Sequence, residues 1–189
     1  LKFPASTDAG EIFEKLDAVE RNIDKASVIA RELLQFSRQR ETEFSPVNMN
    51  SIARGALTLL QYKLKNILVK QDLANVPDVL GDAGKLEQVI INILSNAVEA
   101  MPQGGTISIA TSRSRAGVRV RIEDTGPGIP EGNLTRVFDP FFTTKEPGAG
   151  TGLGLSICYG IIKDHHGTID VSSMKDRGTM VTITIPERK

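Results

Sequence analysis

Apolar positions along the chain follow two different periods, and the change between them divides it. From residue 8 to 40 there is no proline, and no glycine after Gly10, so the stretch reads as one long helix. Asp8 and Glu11 have the spacing of a capping box at its start. Ile12, Leu16, Val19, Ile23, Ala26, Ala30 and Leu33 then recur at alternating steps of four and three, which is a heptad seam. Phe13, Ile29, Leu34 and Phe36 broaden it into a wider apolar face. A helix of about 30 residues is roughly 45 Å long, more than one domain of this size covers along its length. The seam therefore predicts packing into a helical bundle, most simply between molecules; the alternative is a single helix lying across its own domain.

From Phe44 the pattern is mixed. Residues 48–64 carry Ile52, Ala56, Leu59 and Leu60 on one helical face, 67–73 read as a strand, and 77–81 form a short extended piece. Residues 82–101 are a strongly periodic helix stopped by Pro102-Gln103-Gly104-Gly105. Residues 106–113 and 118–124 pair as strands around Ala116-Gly117. A glycine- and proline-rich loop covers 127–152 with a short helix near 131–136, a helix follows over 153–165, and strands at 168–173 and 179–185 close the chain. Strands and helices do not alternate strictly, so the expected fold is α+β, a two-layer α/β sandwich with a mixed sheet. The expected division is 1–43 for the helical part and 44–189 for the mixed domain. A loop as long as 127–152 is usually functional, a lid for instance.

Composition narrows the picture. The 189 residues balance 23 basic against 23 acidic groups, which gives no electrostatic reason to expect nucleic acid or an anionic membrane as partner. A single cysteine makes no internal disulfide, which fits a reducing compartment; Cys158 reads as a small buried apolar residue. No apolar run approaches the roughly 20 residues of a membrane helix. The chain opens on Leu1 rather than Met and is expected to be a fragment of something longer.

Three clusters carry candidate chemistry. Asn92 and Asn96 are four apart and share one helix face, with Glu87 and Gln88 one turn earlier. Neutral amide oxygens suit a magnesium ion already carrying phosphate oxygens, although such a pair serves backbone hydrogen bonding equally well. The second cluster is Asp124-Thr125-Gly126-Pro127-Gly128-Ile129 at a strand end. Asp124 can accept from the exocyclic amine that marks adenine, Gly126 and Gly128 permit close approach, and Ile129 offers an apolar wall; an ordinary Asp-Thr-Gly turn is the plainer alternative. Third, the run from Gly148 through Gly150, Thr151, Gly152, Leu153, Gly154 and Leu155 leads into a helix. Free amides at such a helix start attract phosphate, and the spacing is neither a Walker loop nor a Rossmann turn. Upstream lie Phe138, Phe141, Phe142, Thr144 and Lys145, aromatics suited to core packing or to anchoring a lid, and a lysine able to reach a terminal phosphate.

Taken in order, these clusters resemble the ATP-binding domain of sensor histidine kinases, within the wider ATPase family of gyrase, mismatch-repair ATPases and heat-shock chaperones. The resemblance spans about residues 44–186, and the stretch from Phe138 to Lys145 is similar to the nitrogen-regulation type. Leu33-Leu34-Gln35-Phe36-Ser37-Arg38 also resembles the end of the second helix in the kinases' dimerisation hairpin, which implies a homodimer. What the resemblance implies about roles is specific. Asn96 is the expected magnesium ligand, with Asn92 facing the same region; Asp124 reads adenine, helped by Gly126, Gly128, Ile129 and, through water, Thr179. Gly150, Thr151, Gly152, Leu153, Gly154 and Leu155 cradle the phosphates of ATP, and Phe138 and Thr144 join the nucleotide site. Asn92 and Lys145 are the expected catalytic residues, Lys145 through the transferred phosphoryl group. The implied fold is the Bergerat type, the implied partner a response regulator receiver domain, the implied location cytoplasmic, with no nucleic-acid or membrane contact from this stretch.

One departure is large. The family's acceptor histidine, in its His-Glu/Asp motif, is absent, and His165 and His166 stand at a helix end before Gly167, a place that resembles an ordinary turn. Neither is expected to be an acceptor; the chain is expected to begin after the acceptor helix, a degenerate kinase being the alternative. In hydrolases of this family the resemblance implies a glutamate at position 92, so Asn92 disfavours hydrolysis. An anti-sigma-type serine kinase and an ATP-gated scaffold are the remaining rivals.

Overall fold

The computed structural model describes residues 43–145 and 150–187, together with 10, 12–16, 18–20 and 23. Two compact units are present, one of residues 1–40 with 145–151, the other of 41–144 with 152–189. In the first, the described residues between 10 and 23 are helical, and Ile12, Leu16, Val19 and Ile23 of the seam, with Phe13 beside it, are all exposed. The rest of the expected helix over 8–40 lies outside the described residues.

The second unit runs β1 (Ser45–Val47), α1 (Met49–Leu59), β2 (Ile67–Leu73), β3 (Val79–Gly81), α2 (Ala83–Ala100), β4 (Gly105–Ser114), β5 (Gly117–Asp124), α3 (Glu131–Leu134), α4 (Gly154–Asp164), β6 (Thr168–Ser173) and β7 (Thr179–Ile185). Five strands form a mixed sheet in the order β2-β4-β5-β7-β6, with β2 parallel to β4 and the other pairs antiparallel. The short β1 pairs antiparallel with β3 as a separate ribbon.

Strand alternation shows which face is covered. Ile107 and Ile109 of β4, Val118, Val120 and Ile122 of β5, and Val181, Ile183 and Ile185 of β7 are buried, while Arg119, Arg121 and Glu123 between them are exposed. Successive side chains of a strand point to opposite faces, so one face of the sheet is apolar and helix-covered. Against it pack Ile52, Ala53, Ala56 and Leu57 of α1, Leu86, Val89, Ile90, Ile93, Leu94 and Ala97 of α2, and Ile157, Cys158, Ile161 and Ile162 of α4. The fold is thus the expected α+β sandwich.

Helix α2 is fixed at its start and along its side. Asp82 caps it by accepting from the Lys85 amide at 3.0 Å. Helix α4 runs antiparallel beside it, held by polar contacts in register: Asn92 Nδ2 donates to the Gly154 carbonyl at 3.3 Å, Cys158 Sγ to the Val89 carbonyl at 3.8 Å, and the Asp82 amide to His165 Nε2 at 3.0 Å. The other nitrogen of His165 lies 2.7 Å from the Ile161 carbonyl, and its ring sits 5.0 Å from that of Phe44. Nδ1 must donate to that carbonyl and Nε2 must accept, so both nitrogens of a ring only 2 % exposed are engaged. This agrees with its exclusion as a phosphoryl acceptor. Cys158 is fully buried, and burial pushes its thiol pKa up to about 12, so it stays a protonated packing residue.

Three expectations shift. The first helix stops at Leu59, not 64, because residues 60–66 close into hydrogen-bonded turns: the amides of Lys63 and Leu64 donate to the Leu60 carbonyl and that of Ile67 to Leu64. Strand β1 was not anticipated, since three residues with a central proline carry no readable alternation. The extended piece at 77–81 is ordered as a strand only from Val79.

Removing the Asp82 carboxylate leaves the half-buried Lys85 amide at the α2 start without its acceptor. Asp82→Ala is expected to cost about 1 kcal/mol of stability, read as a lower denaturant midpoint with an unchanged slope.

Candidate functional site

Strand β5 places an acid in the register of the core. Val118, Val120, Ile122 and Asp124 alternate inward, so the Asp124 carboxylate ends up 8 % exposed at the end of the strand beneath α2. Its Oδ1 accepts the Gly126 amide at 2.8 Å and the Thr179 amide at 3.3 Å. Among the described residues Oδ2 has no such partner, which leaves one carboxylate oxygen able to accept from a ligand. The wall beside it is the Met101 side chain, which, with Ala100, would crowd a side chain at position 126; Met101 Sδ also receives the Thr125 hydroxyl at 3.6 Å.

The loop after β5 and the turn between β6 and β7 lie backbone against backbone. Gly128 has φ +71°, and a side chain there would run into the Met174 carbonyl; Gly178 has φ +87°, and a side chain there would meet the Asp124 carbonyl. Only glycine satisfies both the left-handed conformation and the contact. Hydrogen bonds close the seam: the Ile129 amide donates to Ser173 Oγ at 2.7 Å and the Asp176 amide to the Pro127 carbonyl at 2.7 Å. Thr179 Oγ1 lies 3.0 Å from Ser173 Oγ. Ser173, Met101 and the 174–178 turn escaped the sequence reading. The turn lies some 50 residues along the chain from Asp124, and no local pattern signals that a fold will join such segments.

Helix α4 begins at Gly154 with no side chain capping it, unlike α1 and α2, which are capped by Asn48 and Asp82. Leu153 is buried beneath this start, and the Ser156 hydroxyl turns back to the Leu153 carbonyl at 2.8 Å rather than outward. The first amides of α4 thus point from a glycine-flanked helix start, where an anion is stabilised. Gly152, at φ +69°, packs on the Phe141 backbone, which no side chain there would allow.

The other expected residues sort as follows. The Asn92 amide is spent on the Gly154 carbonyl, the plainer alternative weighed for the pair, whereas Asn96, one turn on along the same face, is half-buried. Phe138 packs against the core, its ring tilted against that of Tyr159 with centroids 5.4 Å apart. Ile129 and Leu155 are half-buried and Thr144 is exposed. Lys145, Gly150 and Thr151 belong to the first unit, Lys145 exposed and the two others half-buried. Gly148 and Ala149 lie outside the described residues.

A mixed five-stranded sheet with helices on one face is the architecture of histidine kinase catalytic domains. That of the kinase ThkA in a nucleotide-free form superposes with a TM-score of 0.70 at 38% identity, over 77% of this chain and 96% of that one. The chain belongs to the family of histidine kinase-, DNA gyrase B-, and HSP90-like ATPases, whose model matches residues 81–189. Similar curated proteins include sporulation kinase C of Bacillus subtilis, 32% identical over 90% of this chain and 40% of its own length. The sensor histidine kinase ZraS of Escherichia coli K12 is likewise 32% identical, over 94% of this chain and 38% of its length. The chain thus spans about two fifths of these relatives. ThkA in complex with the response regulator protein TrrA matches 97% of this chain and 53% of that one, with a TM-score of 0.78 and 31% identity.

Burial, the largest influence, raises the Asp124 pKa above the ordinary carboxylate value; the amides of Gly126 and Thr179 pull it back and the charge of Glu123 adds to the rise. A raised folded pKa means that this group favours folding most when protonated, below its unfolded pKa, and loses that contribution as pH rises through the folded one. Acceptance of a ligand amine has the opposite sense. It needs the ionised oxygen, so it is complete above the raised pKa and fades as pH falls through it. Asp124→Asn keeps an oxygen for the two amides but sets an NH2 against an amine. Adenine-nucleotide affinity is expected to fall at least about tenfold, the loss of one charge-assisted hydrogen bond. Its acid dependence is expected to disappear and the melting temperature to hold or rise, as read by calorimetric titration over pH and by thermal unfolding.

Proposed function

We propose that this chain is the catalytic region of a two-component sensor histidine kinase. It binds ATP with magnesium and transfers the γ-phosphoryl group to a histidine on an acceptor helix, for relay to an aspartate of a response regulator. The observation that carries this reading is Asp124, buried at a strand end with one oxygen held by backbone amides and the other available to a ligand amine. Family membership and the relatives' names support the kinase reading over the serine-kinase and scaffold rivals.

In this reading adenine meets Asp124 against the walls of Met101 and Ile129, and the phosphates reach the open start of α4 at Gly154 and Leu155, with Gly150, Thr151 and Gly152 leading to it. Among the described residues no three histidine, cysteine or acidic side chains gather to hold a metal by themselves. A neutral, half-buried amide such as that of Asn96 suits a magnesium ion that brings phosphate oxygens as its other ligands. Bound there, the ion would supply charge neutralisation on the phosphates. Asn92 sets the start of α4 against α2 and so places the phosphate amides relative to Asn96.

A neutral imidazole nitrogen attacks the γ-phosphorus. The bond from phosphorus to the β–γ bridging oxygen breaks with its electron pair leaving on ADP, and the imidazole loses its N–H proton to solvent. Little covalent chemistry falls to the protein, whose part is positioning and charge stabilisation; Lys145 supplies a cation for the transferred group. Exposure of Ile12, Phe13, Leu16, Val19 and Ile23 supports a homodimer formed through the helical part, residues 1–43, with 44–189 as the ATP-binding domain. The complex of ThkA with TrrA supports a response regulator as partner. Among the described residues no helix is long and apolar enough to cross a membrane, and the reaction draws on cytoplasmic ATP.

Incubated with ATP, magnesium and a separately supplied acceptor-helix domain, the chain is expected to produce an acid-labile phosphohistidine on that domain. Nucleotide binding with no transfer to any acceptor helix offered would favour the scaffold. Asn96→Ala is expected to abolish the magnesium dependence of ATP binding, measured by titration with and without chelator; binding that stays metal-sensitive would remove Asn96 from its role.

A further inference from the structure

The hydroxyl of Ser173, at the end of β6, makes three contacts. It accepts the Ile129 amide at 2.7 Å, donates to the Gly178 carbonyl at 2.8 Å, and lies 3.0 Å from Thr179 Oγ1. A serine hydroxyl has one proton. The carbonyl of Gly178 has none to give, so the 2.8 Å contact takes the Ser173 proton. The contact with Thr179 must then be filled by the proton of Thr179. With that proton turned toward Ser173, Thr179 Oγ1 has only lone pairs left to offer. Its own amide is bound to Asp124 Oδ1, which holds the threonine in place beside the carboxylate.

We infer that Ser173 is a positioning residue for base selection: by taking the Thr179 proton it turns that hydroxyl into a second acceptor beside Asp124 Oδ2, so the pocket selects a 6-amino over a 6-keto purine. This rests on the adenine reading of Asp124. An amine presents two N–H groups to such an acceptor pair, directly or through one water. A 6-keto purine presents oxygen lone pairs to those lone pairs and keeps only N1–H as a donor, so it is disfavoured. Without Ser173 the Thr179 hydroxyl is free to rotate and donate, and the penalty on a keto base relaxes.

The test compares ATP with inosine triphosphate, which carries a 6-keto oxygen and an N1–H where ATP carries a 6-amino group and a bare N1, by calorimetric titration with magnesium on the chain and its Ser173 variants. The unsubstituted chain is expected to prefer ATP. Ser173→Ala is expected to weaken ATP and narrow the ATP-to-inosine-triphosphate ratio by about tenfold, one hydrogen bond's worth, while Ser173→Thr, which keeps the hydroxyl, restores the ratio. Equal weakening of both nucleotides, or an unmoved ratio, makes Ser173 merely structural and overturns the inference while the adenine reading stands. If the unsubstituted chain binds neither nucleotide, the adenine reading fails and the inference with it. Should Ser173→Ala not fold, Ser173→Cys, with a weakly donating thiol of similar size, decides by the same ratio.

Discussion

A carboxylate in the core register of a strand is the constraint around which this domain is organised. Burying Asp124 beside Val120 and Ile122 would be costly without partners, and the fold meets that cost with two backbone amides from different segments, Gly126 and Thr179. Both amides must converge on one oxygen, which draws the loop after β5 against the β6–β7 turn. From that follow the left-handed glycines 128 and 178, each facing a carbonyl that no side chain could clear. A charged group that would otherwise weaken the core becomes the reason two distant loops share an edge.

The second organising contact is the antiparallel ladder between α2 and α4. Its rungs at Asn92, Cys158 and His165 tie the open start of α4 to the middle of α2, and the end of α4 to the α2 cap. The rungs are chemically unlike: an amide, a thiol and an imidazole each donate or accept in a buried helix interface where an unpaired polar group would be expensive. Their shared effect is to fix the helix carrying Asn96 relative to the amides that follow the glycine-rich segment.

Much of this was legible in the chain. The segments expected as β2, β6 and β7 matched their strands residue for residue, and the Pro-Gln-Gly-Gly stop bounded the end of α2 within a residue, because these signals are local. The alternation Val118, Val120, Ile122, Asp124 puts the acid on the inward face of the sheet. What was not legible depends on contacts between distant segments. Strand β1 exists because β3 is there to pair with it, α1 ends where turns compete with its last residues, and the amide of Asn92 finds the Gly154 carbonyl 62 residues away. Ser173 was passed over for the same reason: in sequence it is one serine among several at a strand end.

Among the described residues, α1 and α2 are finished by a side chain at their start and α4 is not. An unfinished helix start makes folding and occupancy parts of a single equilibrium: an anion that completes α4 lowers the free energy of the native state alone, so stability rises with the logarithm of its concentration. With such an anion bound, the resistance of the domain to heat or proteolysis would gauge the ligand concentration around it rather than be an intrinsic constant.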